Sequence, residues 1–156
     1  MLAASRFAKG NRLLQLLSTA DFSLLEPHLV VVTMKLRDAF ESPNKPIEKI
    51  IFPDIGIASV VAKQNGSEAE IGLIGCEGMS GVAVILGNQR SANATYVQVA
   101  GEGRQISAQA LRRAMGESRS LHGLFLKYVQ AFMTQTAIPR SPTPAPSCRS
   151  GWPAGF

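Results

Sequence analysis

Cysteine is scarce in this chain. There are two, Cys76 and Cys148, and they form neither a metal-ligand spacing nor a dithiol motif. A disulfide framework is therefore not expected, and a chain of this size builds its core without one. Histidine is equally rare. His28 and His122 stand far apart, whereas a metal-binding roll needs clustered His and Glu ligands, so no metal is expected. Asp21, Ser107 and the other Ser and Asp residues show no nucleophile–base arrangement, and the chain does not read as an enzyme. No apolar run is long enough to span a bilayer. The start, "MLAASRFAKGNRLLQLL", has no long apolar stretch leading to a small-residue cleavage site. The expectation is a cytoplasmic chain with no membrane partner. Aromatic residues make up only 6%, and no basic stripe interleaves with them as a nucleic-acid groove requires. The formal charge of +5 owes two units to Arg140 and Arg149, in a tail without acids. A mildly basic, solvated surface accounts for the remainder.

A hydrophobic fraction of 46% in 156 residues supplies enough apolar material for one domain. "NRLLQLLSTADFSLLEPHL" reads as two short helices, the second capped by Ser18 or Thr19 and limited by Pro27. From Leu29 the pattern turns strand-like. "LVVVTMKL", "EKIIFP", "IGIASVVAKQ" and "AEIGLIG" are short and rich in branched side chains. Asn65-Gly66 is the strongest hairpin signal in the chain. "VAVILGNQRSANA" reads as a short apolar helix or turn, and "TYVQVAGEGRQIS" as a hairpin turning at Gly101 to Gly103. Ser107 caps a helix over "AQALRRAMGES", and a longer helix follows. Short antiparallel strands with turns between them favour a jelly roll over a parallel sheet.

Between two apolar segments the chain places "GNQRSANA", with Arg90 beside Ser91. A guanidinium makes charge-assisted, often bidentate bonds to phosphate oxygens. At "EGMSGVAVILGNQRSANATYVQVAGEG" the sequence resembles the sensor domain of the Crp/Fnr family of transcription regulators, over roughly residues 10 to 137. The resemblance implies a mainly β fold with flanking helices. This is a double-stranded β-helix, or jelly roll, of the cyclic-nucleotide-binding-domain type, followed by a long dimerisation helix. It implies a ligand-sensing and dimerisation domain that takes cyclic AMP, another cyclic nucleotide or a small anion. Arg90 matches the arginine that pairs with the cyclic phosphate, Ser91 the small residue after it, and Gly87 the turn before it. The family's glutamate, which accepts from the ribose 2′-hydroxyl, falls near Ser80 or Gly81, where this chain has no acid. Glu77 lies before Gly78, out of register. The ligand-binding residues expected from the resemblance are thus Ser80, Gly81, Gly87, Arg90 and Ser91, with Thr134 and Thr136 as candidate base contacts. An effectorless interaction module with a vestigial pocket is the alternative.

In the long helix, Leu121, Phe125, Tyr128 and Phe132 form one stripe, which Leu124 broadens. These residues are expected to form a homodimer helix; the other possibility is a helix packed wholly on its own roll. The domains read as a helical lead-in (1–28), a β-roll (29–107) with a cassette-like turn at 78–94, helices (108–137) and a Pro-rich disordered tail (138–156). The tail holds five of the nine prolines and no hydrophobic period. It reads as a natural linker, a shifted reading frame or a cloning remnant. In the family the long helix leads into a helix-turn-helix domain. With too few residues left for one, DNA is an expected partner only where such a domain is present.

Overall fold

The computed structural model describes residues 10–137. The Pro-rich tail, most of the lead-in before Asn11 and the side chain of Thr136 lie outside the described residues.

The chain opens with two short helices, α1 (Arg12–Gln15) and α2 (Thr19–Leu25). Asn11 caps the first, its side chain accepting from the Leu14 amide, and Ser18 caps the second by accepting from Asp21. Each cap satisfies an amide that the first helical turn leaves without an internal partner. A single 3₁₀ turn, Glu26–His28, carries Pro27 at its start. The strands are β1 (Val30–Met34), β2 (Ala39–Glu41), β3 (Lys49–Gln64), β4 (Ser67–Ile74) and β5 (Ala94–Ser107). A four-residue helix, α3 (Val82–Ile85), interrupts them, and α4 (Ala108–Glu117) and α5 (Arg119–Ala137) follow.

All the strand pairings are antiparallel, in the order β1-β5-β3-β4 with β2 also on β5. The expected β-rich roll with flanking helices is what the chain forms. The segments read as separate strands on either side of Pro53 are one strand, β3, whose register against β5 shifts at Pro53/Ile55, Ile55/Ile57 and Ile57/Ala58. Such irregularities bend a ladder without ending it. The hairpin expected at Gly101 to Gly103 is not there. Both glycines lie inside β5, where Gly101 pairs with Met34 and Gly103 with both Val32 and Pro53. A Cβ on Gly103 would stand 2.6 Å from the Phe52 carbonyl oxygen, and one on Gly101 would collide with that of Ile55. Glycine here marks close backbone approach rather than a turn. The Asn65-Gly66 turn does join β3 to β4, with φ of 52° and 78°, as a two-residue hairpin requires.

The largest core lies between the roll and its helices. Leu25, Ile50, Phe52, Met79, Ile106, Leu111, Leu121 and Phe125 are buried in it. Phe52 and Phe125 meet with ring centroids 6.0 Å apart, within the range for a favourable aromatic pair. Ser107 caps α4 as expected, accepting from the Ala110 amide at 3.1 Å. At the α4–α5 junction Asp21 of α2 accepts from the Ser118 hydroxyl at 2.5 Å and the Ser120 hydroxyl at 2.6 Å. Those two hydroxyls hold its carboxyl below the usual range against the opposing effect of burial.

Candidate ligand groove

The cassette-like turn begins where β4 delivers the chain to Gly75. Ser80 is fully buried and tied to β3 twice. Its amide donates to the Ile51 carbonyl at 3.0 Å, and its hydroxyl accepts from the Ile51 amide at 2.9 Å. Ser80 is thus a structural link, and it does not line the groove described next. Gly81 follows with φ of 80° and starts α3. Any Cβ there would stand 2.5 Å from Ile50 Cγ1, so both the backbone angle and the packing require glycine. Gly87 turns the chain out of α3 at φ 91°.

The segment after α3 is pinned to the loop after β2. The Asn44 amide donates to the Ser91 carbonyl and the Ile47 amide to the Gln89 carbonyl, both at 2.8 Å. Arg90 is exposed, and its Nη1 donates to the Asn44 carbonyl at 2.9 Å. The Ser91 hydroxyl accepts from the Asn93 amide at 3.1 Å. Arg90, Ser91 and Gly81 share a groove of about 340 Å³ with Val60, Ile74 and, from α5, Phe132 and Met133. Of the expected ligand residues, the structure brings these three together. Gly87 does not line the groove, and neither does Thr134, whose hydroxyl donates to the Gln130 carbonyl of its own helix at 2.9 Å.

Sequence reasoning missed Glu41. It ends β2, is 9% exposed, and lines the same groove. The Thr95 hydroxyl donates to its Oε2 at 2.7 Å, and the Gly81 amide also donates to its carboxylate. Burial pushes the Glu41 carboxyl above its ordinary range, and these two bonds oppose the shift. A second cavity of about 590 Å³ lies on its other side, lined by Arg37, Lys63, Glu68 and Thr95. Glu41 is the residue common to the two linings. The local signal was faint. In "AFE" the alternation sets Glu41 on the opposite face from Phe40, but 40 positions separate it from Gly81.

Other charges are engaged elsewhere. Glu77 Oε1 accepts from the Gly75 amide at 3.3 Å, and burial raises its carboxyl. Lys63 pairs with Glu68 at 3.3 Å and Arg104 with Asp54 at 3.1 Å. His122 Nε2 lies 3.0 Å from the Ile85 carbonyl. Among the described residues no three His, Cys, Asp or Glu side chains gather to hold a metal. Also among the described residues, no helix is long and apolar enough to cross a membrane. Cys76 corrects an expectation. It was read as a packed, inert thiol, but it is buried and disulfide-bonded, with its partner outside the described residues.

The α5 stripe is likewise not where a dimer face would be. Leu121 and Phe125 are fully buried and Tyr128 nearly so, all against the chain's own roll, while Leu124 and Phe132 are half-buried beside them. Tyr128 donates to the Met79 carbonyl at 3.1 Å, and burial raises its hydroxyl pKa. Leu126 and Met133 are the large apolar side chains that α5 exposes. One helix face cannot serve two partners, and the roll has taken the more apolar one.

No family model matches the sequence, and neither does any curated protein. Solved structures do match in fold. One is a cyclic nucleotide-binding domain from Methylobacillus flagellatus, with TM-score 0.64 and 11% identity over 83% of this chain and 78% of that one. Another is the sensor domain of the transcriptional regulator DNR from Pseudomonas aeruginosa, with TM-score 0.61 and 14% identity over 78% of this chain and 91% of that one. A third is the regulatory domain of Toxoplasma gondii PKA with cAMP, with TM-score 0.60 and 15% identity over 79% of this chain and 51% of that one. At these identities the likeness is one of fold: the chain has the β-roll of cyclic nucleotide-binding domains.

Proposed function

We propose that this chain is the ligand-sensing and dimerisation domain of a Crp/Fnr-like transcription regulator. A small anionic effector enters the groove, its charge meeting Arg90 at the rim. The observation that carries this reading is the composition of the groove wall. The cassette turn supplies Gly81, Arg90 and Ser91, and α5 supplies Phe132 and Met133. A ligand there touches the helix that would relay its presence, so binding and helix position are linked through direct contact. Among the fold neighbours, the sensor domain from Pseudomonas aeruginosa and the Toxoplasma gondii domain with cAMP support a regulatory role. Leu126 and Met133 form the α5 surface proposed to meet a second copy. Recognition of DNA belongs to the helix-turn-helix unit that the resemblance places after α5, and no catalysis is proposed.

A thermal-shift screen of small anions tests this. A true effector at one hundred times its Kd stabilises the fold by about 2.7 kcal/mol. The effect should vanish in Arg90→Ala. A shift that survives the substitution would remove the groove from the argument.

The second reading, an effectorless interaction module, draws on one observation. Arg90 already donates to the Asn44 carbonyl, and the Ser91 hydroxyl already accepts from Asn93. On that reading no anion in the screen gives a saturable shift, while the protein still sediments as a dimer that Met133→Glu weakens.

A further inference from the structure

Two charged side chains of opposite sign line one groove at different depths. Arg90 is exposed at the rim, and Glu41 is buried at the far end. Glu41 arrives from β2, and both of its contacts are donors, the Thr95 hydroxyl and the Gly81 amide. A carboxylate offers about four lone-pair positions, so two donors leave it with acceptor capacity toward the groove. The Gly81 amide, the donor that an anion entering past Arg90 would meet next, is already committed to an anion belonging to the protein.

We infer that Glu41 determines which ligands this groove accepts: its carboxylate takes a hydroxyl or ammonium donor at the buried end and turns away a phosphate there. The inference rests on the sensor reading and deepens it. The effector is then a small molecule with two unlike ends, an anionic group held at the rim by Arg90 and a hydrogen-bond donor held at depth by Glu41. Cyclic AMP presents its phosphate where the groove carries a fixed negative charge. Two like charges in a desolvated site repel far more strongly than in water, and the acceptors of a phosphate leave Glu41 with no donor in exchange. The neighbouring cavity lies on the far side of Glu41 and adds the Lys63–Glu68 pair, so it brings no net positive charge from that pair to offset the repulsion.

The test is a change of preference caused by removing one charge. Cyclic AMP and inorganic sulfate are titrated calorimetrically into the whole chain as wild type, Glu41→Gln, Glu41→Ala and the double variant Glu41→Gln/Arg90→Ala. The glutamine keeps the shape and both hydrogen-bonding ends of the side chain, and the alanine provides an independent removal should the glutamine variant fold poorly. Wild type is expected to show no saturable binding of either probe below millimolar concentration. Each single variant is expected to gain at least tenfold in affinity for cyclic AMP, and the double variant to lose that gain. Wild-type affinity for cyclic AMP equal to that of Glu41→Gln overturns the charge selection while leaving the sensor reading standing. Folded single variants that bind neither probe better than wild type also overturn it. A failed effector screen on wild type, by contrast, counts against the sensor reading and does not alter the expected gain.

Discussion

The two halves of the cassette-like turn contrast sharply. The half around Ser80 is part of the core: its hydroxyl and amide are both consumed by Ile51, and no solvent reaches it. The half around Arg90 lies at the surface, fastened by backbone bonds to the loop at 42–47 and free to exchange its guanidinium between the Asn44 carbonyl and a ligand. Two segments ten residues apart thus carry opposite duties, one stabilising the roll and the other recognising what enters the groove. Burial decides which is which.

That contrast can be broken most severely from the core side. Phe125→Ala removes a fully buried ring against Phe52 and should cost about 3–5 kcal/mol, read as a large fall in the urea midpoint. Ser80→Ala leaves the buried Ile51 amide without its acceptor and should cost about 1–3 kcal/mol, measured the same way, with no effect specific to ligand. If Ser80→Ala left stability unchanged but abolished ligand binding, the division of labour would be reversed.

Smaller effects sharpen the comparison. Glu41 has its carboxyl raised by burial, so the folded state binds its proton more tightly than the unfolded chain does. Its contribution to stability is therefore complete below the unfolded value and is lost as pH climbs through the raised folded value. Glu41→Gln should remove that component, giving a shallower decline of Tm with rising pH above the unfolded glutamate range. Asp21 runs the other way. Its lowered carboxyl supports the fold above the unfolded value and loses that support as pH falls through the folded one, so Asp21→Asn should flatten the acid limb. The smallest effect belongs to Arg90→Ala. Its exposed bond to Asn44 should change stability by no more than about 0.5 kcal/mol, even as the ligand-induced thermal shift disappears.

Features written in short stretches were legible in the sequence. Asn65-Gly66 specifies its turn through backbone angles available to those two residues, and Ser18 and Ser107 cap helices through bonds only three residues long. The roll itself followed from branched, short segments. Misreadings arose where distant strands approach. Gly101 and Gly103 look like a turn in isolation, and only the presence of Ile55 and Phe52 across the ladder shows why a side chain is forbidden there. The α5 stripe was visible, but periodicity reports that a face is apolar without saying what covers it. Glu41 was illegible for the same reason: its two donors come from Gly81 and Thr95, each at least 40 positions away.

The carboxylate of Asp21 grips both serines at the elbow between α4 and α5. A swing of α5 about that elbow must either carry α2 along or let go of two hydroxyls at once. The opening helices therefore ride with the joint, and whatever leans on α2 from outside leans on α5 as well.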